Sequence, residues 1–182
     1  AGVDQRPPFD RLARAGGEDL EAPPAALAFD RAIALDPAHV TAHQWYGLYL
    51  AAMGDSAGAK THARTVREID PKAPAALGAV ARIYYLTGEP DTAIAVYRAA
   101  LSQDSTFYVA RVGIGLSYLA KGLPGEAERE LRKAMTLSPA ARAVVPPLLA
   151  YTAAVAGRRE EARDALRRLR LSTERGEIPP EF

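Results

Sequence analysis

Residues 37–70, PAHVTAHQWYGLYLAAMGDSAGAKTHARTVREID, and residues 71–104, PKAPAALGAVARIYYLTGEPDTAIAVYRAALSQD, write one 34-residue pattern twice. Pro37 and Pro71 open the two copies, and Ser105 and Pro139 stand at the next two intervals. Gly54, Gly88 and Gly122 keep the spacing, while Gly157 follows one residue late, so the last unit carries a single-residue insertion. Alanine recurs in phase at Ala25, Ala59, Ala93 and Ala127, then at Ala162 with the same slip. A fixed period of this length belongs to stacked helical units, each too small to bury its apolar face alone.

Each period predicts two amphipathic helices. His43, Tyr46, Gly47 and Leu50 follow the i, i+3, i+4, i+7 rule and share one helix face. Gly54 and Asp55 interrupt the pattern as a turn would, and Ala59, Ala63 and Val66 resume it. The second helix ends at Asp70-Pro71, since proline disfavours the α region for the residue before it. Small residues at one point of the first helices (Gly47, Ala81, Gly115, Ala150) and of the second (Ala59, Ala93, Ala127, Ala162) let crossing axes approach. Phe29, Tyr97, Leu131 and Leu166 are expected to fill the space between neighbouring hairpins. Gly115→Leu is therefore expected to overpack a crossing.

These small, large and proline positions, in this order and over this length, resemble the tetratricopeptide repeat. The resemblance runs from Ala25 to about Leu171: the second helix of one unit, then four complete pairs. It implies an all-α, right-handed superhelical solenoid of antiparallel helix pairs. Two regions depart from it. Residues 1–24 should supply the partner of the first helix, yet carry Gly16, Gly17, Pro23 and Pro24, so we expect an irregular segment with a short helix over Phe9–Ala15. Pro146 and Pro147 fall inside the last first helix, which should start near Pro146 or bend there. The tryptophan usual early in the first helix is replaced by His43, Leu77, Arg111 and Pro146, and Trp45 comes two residues too late to be it. The absent initiator Met and the ending IPPEF, in a tail over 172–182, lead us to expect a piece of a longer, bacterial protein.

Composition narrows the function. With 48% hydrophobic and 25% charged residues the chain can bury a core, and a net charge of +1 favours neither nucleic acid nor an acidic substrate. The absence of cysteine removes disulfides, thiolate metal sites and cysteine nucleophiles. No signal peptide is visible at the start, and the cytoplasm is the favoured compartment. The longest apolar stretch, Ala143–Ala156, falls short of the ~20 residues of a membrane span and reads as a buried helix. No membrane association and no cofactor are expected.

No phosphate-binding loop or nucleophile elbow occurs, and no catalytic residue is assigned; the chain reads as a non-enzyme. His39 and His43 lie four residues apart but lack a third ligand, so no metal site is assigned. Glu160-Glu161, and Glu126 with Glu130, read as solvated faces, Glu126 being able to pair with Arg129 or Arg132. The run Arg158, Arg159, Arg163, Arg167, Arg168 and Arg170 is broken by Glu160, Glu161 and Asp164, and reads as a solvated face rather than a nucleic-acid surface.

The resemblance implies that first helices line a concave groove. The matching positions are Gln44, Leu48 and Ala51, then Gly78, Arg82 and Tyr85, then Val112, Leu116 and Leu119, and last Pro147, Tyr151 and Ala154. This mostly apolar lining suits an amphipathic helix or extended peptide from a protein partner. The alternatives are that it packs on the chain's own N-terminal segment or on missing repeats, or forms a homodimer. The lysines and asparagines with which some members grip a C-terminal carboxylate are absent. A second reading, from a looser resemblance to repeat regions of bacterial signalling proteins, is a sensory or regulatory segment of a regulator, cyclase or kinase.

Overall fold

The computed structural model describes residues 24–174. Among them are nine helices and no strand: α1 (Pro24–Leu35), α2 (Val40–Ala52), α3 (Ser56–Ile69), α4 (Pro74–Leu86), α5 (Pro90–Gln103), α6 (Tyr108–Ala120), α7 (Pro124–Leu137), α8 (Pro139–Val155) and α9 (Arg159–Glu174). The helix expected over Phe9–Ala15 and the ending IPPEF lie outside the described residues.

The turn glycines work as their spacing predicts. Gly54, Gly88, Gly122 and Gly157 have φ between 71° and 83°, and they alone among the described residues have positive φ. A left-handed residue at this point costs glycine nothing and lets the chain reverse in three residues. In each turn the residue after the glycine donates its N–H back to the helix: Asp55 to the Leu50 carbonyl at 2.8 Å, Glu89 to Tyr84 at 2.9 Å, Leu123 to Tyr118 at 2.9 Å and Arg158 to Ala153 at 2.9 Å. Asp55 then serves twice, since its carboxylate accepts from the Gly58 N–H at 3.0 Å and caps α3.

The return turns repeat as well. Asp36, Asp70 and Asp104, then Ser138, accept backbone N–H groups from Ala38, Ala73, Thr106 and Ala140 at 2.8–3.2 Å. In the sequence this 34-residue series of short polar side chains is hidden behind the neighbouring prolines. It gives each second helix a hydrogen-bonded stop and each first helix a fixed entry.

Within each hairpin the small positions meet. Ala59, Ala93 and Ala127 are fully buried, and a Cβ on Gly47 or Gly115 would lie 3.3 Å from the carbonyl oxygen of Ala59 or Ala127. The first helices of successive units also touch one another, α2 with α4, α4 with α6 and α6 with α8. Second helices make no such contact among the described residues. First helices therefore lie closer together than second helices, so the row curls with α2, α4, α6 and α8 on its inner side. The protein is an all-α solenoid of antiparallel helix pairs.

Two expectations need correction. Of the two courses expected for α8, a start near Pro146 is ruled out: the helix begins at Pro139, straight after the single residue Ser138, and carries Pro146 and Pro147 in its interior, where the other course put a bend. Those prolines cannot donate to the carbonyls of Arg142 and Ala143, a local loss that burial of Ala141, Val145, Ala150, Thr152 and Ala153 along the helix offsets. Leu166 does not fill a gap between hairpins: it is 55% exposed, because no described helix follows α9 to cover it. Tyr97 and Leu131, at the same point of earlier units, are 4% and 0% exposed.

Candidate functional site

On the inner helices Leu48, Tyr85, Val112, Leu116 and Leu119 are half-buried, as is Gln44. Arg82, Pro147, Tyr151 and Ala154 are exposed, Tyr151 to 59%. Ala51 is buried and supports the surface rather than offering it. Gly78 is buried too, since the Phe107 ring lies over it, 3.0 Å from where a Cβ would stand. Leu48 and Tyr85 rest on the main core, Val112 on the smaller core of α7 and α8. Because α2, α4, α6 and α8 touch in order, the available side chains form a row of apolar patches with Arg82 among them.

Behind this row, the position usually held by tryptophan is met by one partner nineteen residues later in three chemistries. His43 Nδ1 lies 2.8 Å from His62 Nδ1; Leu77 and Val96 are both buried in one apolar cluster; Arg111 pairs with Glu130 at 2.9 Å. Burial by itself would push the Glu130 carboxyl up, but Lys133 and Arg111 together hold it below the usual range. The sequence shows each residue singly; only the helix crossing shows them as pairs.

The histidines form a structural pair. His39 caps α2, its Nδ1 accepting from the Ala42 N–H at 3.2 Å, and so turns away from ligand chemistry. His43 Nε2 donates to the Pro37 carbonyl at 3.0 Å, which leaves its Nδ1 to accept from His62. Tyr46 packs against His62 at a ring separation of 4.6 Å and stacks on Phe29 at 5.3 Å. Burial, with Asp30 beside it, raises the Tyr46 hydroxyl to about 12. Among the described residues no three His, Cys, Asp or Glu side chains gather where a metal could sit.

Burial, reinforced by His43, lowers the His62 pKa against the opposing pull of Asp30 and Asp55. The unfolded chain then binds a proton that the folded chain refuses, so stability is intact above about pH 6.5 and falls as pH drops below it. The thermal midpoint should decline between about pH 7 and 5.5, and His62→Gln should flatten that slope. An equal slope in the variant would place the proton elsewhere.

The arginine run is mostly paired with neighbouring acids. Arg158 binds Glu128 at 2.6 Å and Glu161 at 2.8 Å, Arg163 binds Glu160 at 2.7 Å, and Arg167 binds Asp164. Glu126 pairs with Arg129 at 3.3 Å, whereas Arg132 turns to Glu128 at 2.7 Å. Trp45 is 58% exposed, away from the packing position that the family gives its tryptophan.

The tetratricopeptide-repeat family profile matches residues 47–106. No curated protein matches the chain. Among solved structures, the chain is similar to PilW, a widely conserved type IV pilus biogenesis factor, at 19% identity and a TM-score of 0.71 over 94% of this chain and 80% of that one. A thermophilic tetratricopeptide-repeat protein of Thermus thermophilus gives 19% and 0.70 over 95% and 87%. MamA gives 18% and 0.63 over 97% and 98%. At such identities the likeness concerns the fold alone.

Proposed function

We propose, on the premise that this chain is a tetratricopeptide-repeat protein, that it is a non-catalytic scaffold whose inner helices hold a segment of a protein partner. The observation that carries the proposal is the row Leu48, Arg82, Leu116 and Tyr151, one repeat apart on four helices in contact, with Tyr85 about one turn beyond Arg82, each half-buried or exposed. Apolar side chains in this state still have area to lose on binding, and tyrosine anchors contacts at small entropic cost. Gln44, Val112 and Leu119 extend the row, and Ala51 keeps its wall close to the backbone. The mixture suits an amphipathic helix or an extended peptide with apolar side chains.

The test is a capture experiment with the chain as bait, followed by binding measurements on what is captured. Leu48→Asp, Tyr85→Asp and Leu116→Asp together should abolish capture while the far-ultraviolet circular dichroism stays helical. Tyr151→Asp alone, at the most exposed of these positions, should weaken binding by about 2 kcal/mol if it is an anchor. Undiminished capture by the triple variant would remove the inner row as the binding surface.

A further inference from the structure

A cavity of about 510 Å3 lies between α7, α8 and α9, on the side of the second helices. Its lining includes a position where the unit before carries a ring. The carbonyls that close the four glycine turns belong to Leu50, Tyr84, Tyr118 and Ala153, so these four residues are equivalent. The residue before each of the last two supports the alignment: Ser117 and Thr152 are both fully buried, and each hydroxyl donates to the carbonyl four residues back, at 2.8 and 2.7 Å. Where Tyr118 has a ring, the last unit has only a methyl group.

The missing ring also changes the role of an arginine. Arg98 donates to the Tyr118 hydroxyl at 3.0 Å; one period later Arg132 stands at the same place, finds no hydroxyl and keeps to Glu128. It lines the cavity with Arg142 and Arg168. Arg142 spends its Nε on the Met135 carbonyl at 3.3 Å, and Arg168 makes no ion pair among the described residues. Glu161 is the one carboxylate in the lining and is already held by Arg158. The floor is apolar: Met135, Leu149, Ala150 and Ala153. Cation exceeds anion around an aromatic-sized hollow.

We propose that this cavity is a second docking site, which takes an aromatic side chain from an acidic peptide segment. The guest ring fills the volume that Tyr118 fills one unit earlier, and carboxylates flanking it meet Arg142 and Arg168. A tyrosine guest also returns a hydroxyl to Arg132. The site is separate from the inner row, because Ala150 and Ala153 lie about a third of a turn round α8 from Pro147 and Tyr151.

The experiment uses the full chain and a fluorescent, end-blocked heptapeptide with a central tyrosine, a glycine on each side and two glutamates at each end. Its anisotropy should rise on titration with the chain, and a lysine version of the peptide should not bind. Ala153→Tyr, which restores the repeat's own ring, should lower affinity about tenfold to a hundredfold. Arg168→Glu, a surface change that leaves packing alone, should weaken binding too and leave the melting midpoint where it was. Equal binding by Ala153→Tyr or by Arg168→Glu, or equal binding of the lysine peptide, would overturn the proposal. So would a dimer that Ala153→Tyr dissociates, which would give the hollow to a second copy. Affinity that rises on Glu177→Gln with Glu181→Gln would assign it to the chain's own end and overturn the proposal equally.

Discussion

Gly113→Ala should destabilise the array by roughly 1–3 kcal/mol, although it adds a single methyl group. A Cβ at this position of α6 would stand closer than 3.0 Å to three ring atoms of Tyr97, whose side chain is 4% exposed. The ring cannot retreat, because it is wedged between successive hairpins, and burial has already raised its hydroxyl to about 12. The α6 backbone must therefore move away from α5, opening the joint between two units. Gly125→Ala is the control: nothing lies within 4 Å of its Cβ, and α7 should gain a few tenths to about 1 kcal/mol from the helix preference of alanine. Midpoints of thermal and urea unfolding, measured for both variants, should move in opposite directions. A Gly113→Ala midpoint at or above the parent's would mean that the Tyr97 ring does not press on α6.

Leu131→Ala should cost about 2–5 kcal/mol, more than any other truncation in the smaller core. Leu131 has no solvent exposure at all, and it anchors that core with Ala134, Ala141 and Val145. Its Cγ also lies 2.8 Å from where a Cβ on Gly115 would be. Gly115→Leu alone should cost about 1–3 kcal/mol by overpacking. In the double variant the added side chain enters the space that Leu131 has vacated, so the losses should fall short of their sum by about 0.5–3 kcal/mol. Strict additivity would show that the two residues do not share that space.

The fold is legible in the sequence because its punctuation is chemical. Left-handed turns select glycine and helix ends select proline, so both repeat where the backbone repeats. Packing at the ends is less legible. Periodicity gives Leu166 the role of Tyr97 and Leu131, but exposure depends on whether another hairpin follows, which no local pattern states. Proline's local rule moves the expected start of α8 toward Pro146, whereas burial along Pro139–Val155 overrides it. For the inner row, the repeat puts the residues on α2, α4, α6 and α8 but cannot foretell that Phe107 covers Gly78. The pairs His43–His62 and Arg111–Glu130 are invisible for the same reason: each joins two helices, and only their crossing brings the atoms together. The cavity at Ala153 is present in the sequence as a broken series, Leu50, Tyr84, Tyr118, then alanine; its meaning needs the neighbouring arginines in place.

Among the described residues, every hairpin touches only the one before and the one after. A slight change of angle at each joint accumulates toward the ends, as it does along the coils of a spring, while no single joint is strained. The curl can thus widen or tighten, and an added methyl group at one joint, as in Gly113→Ala, would set that elastic range as well as the stability.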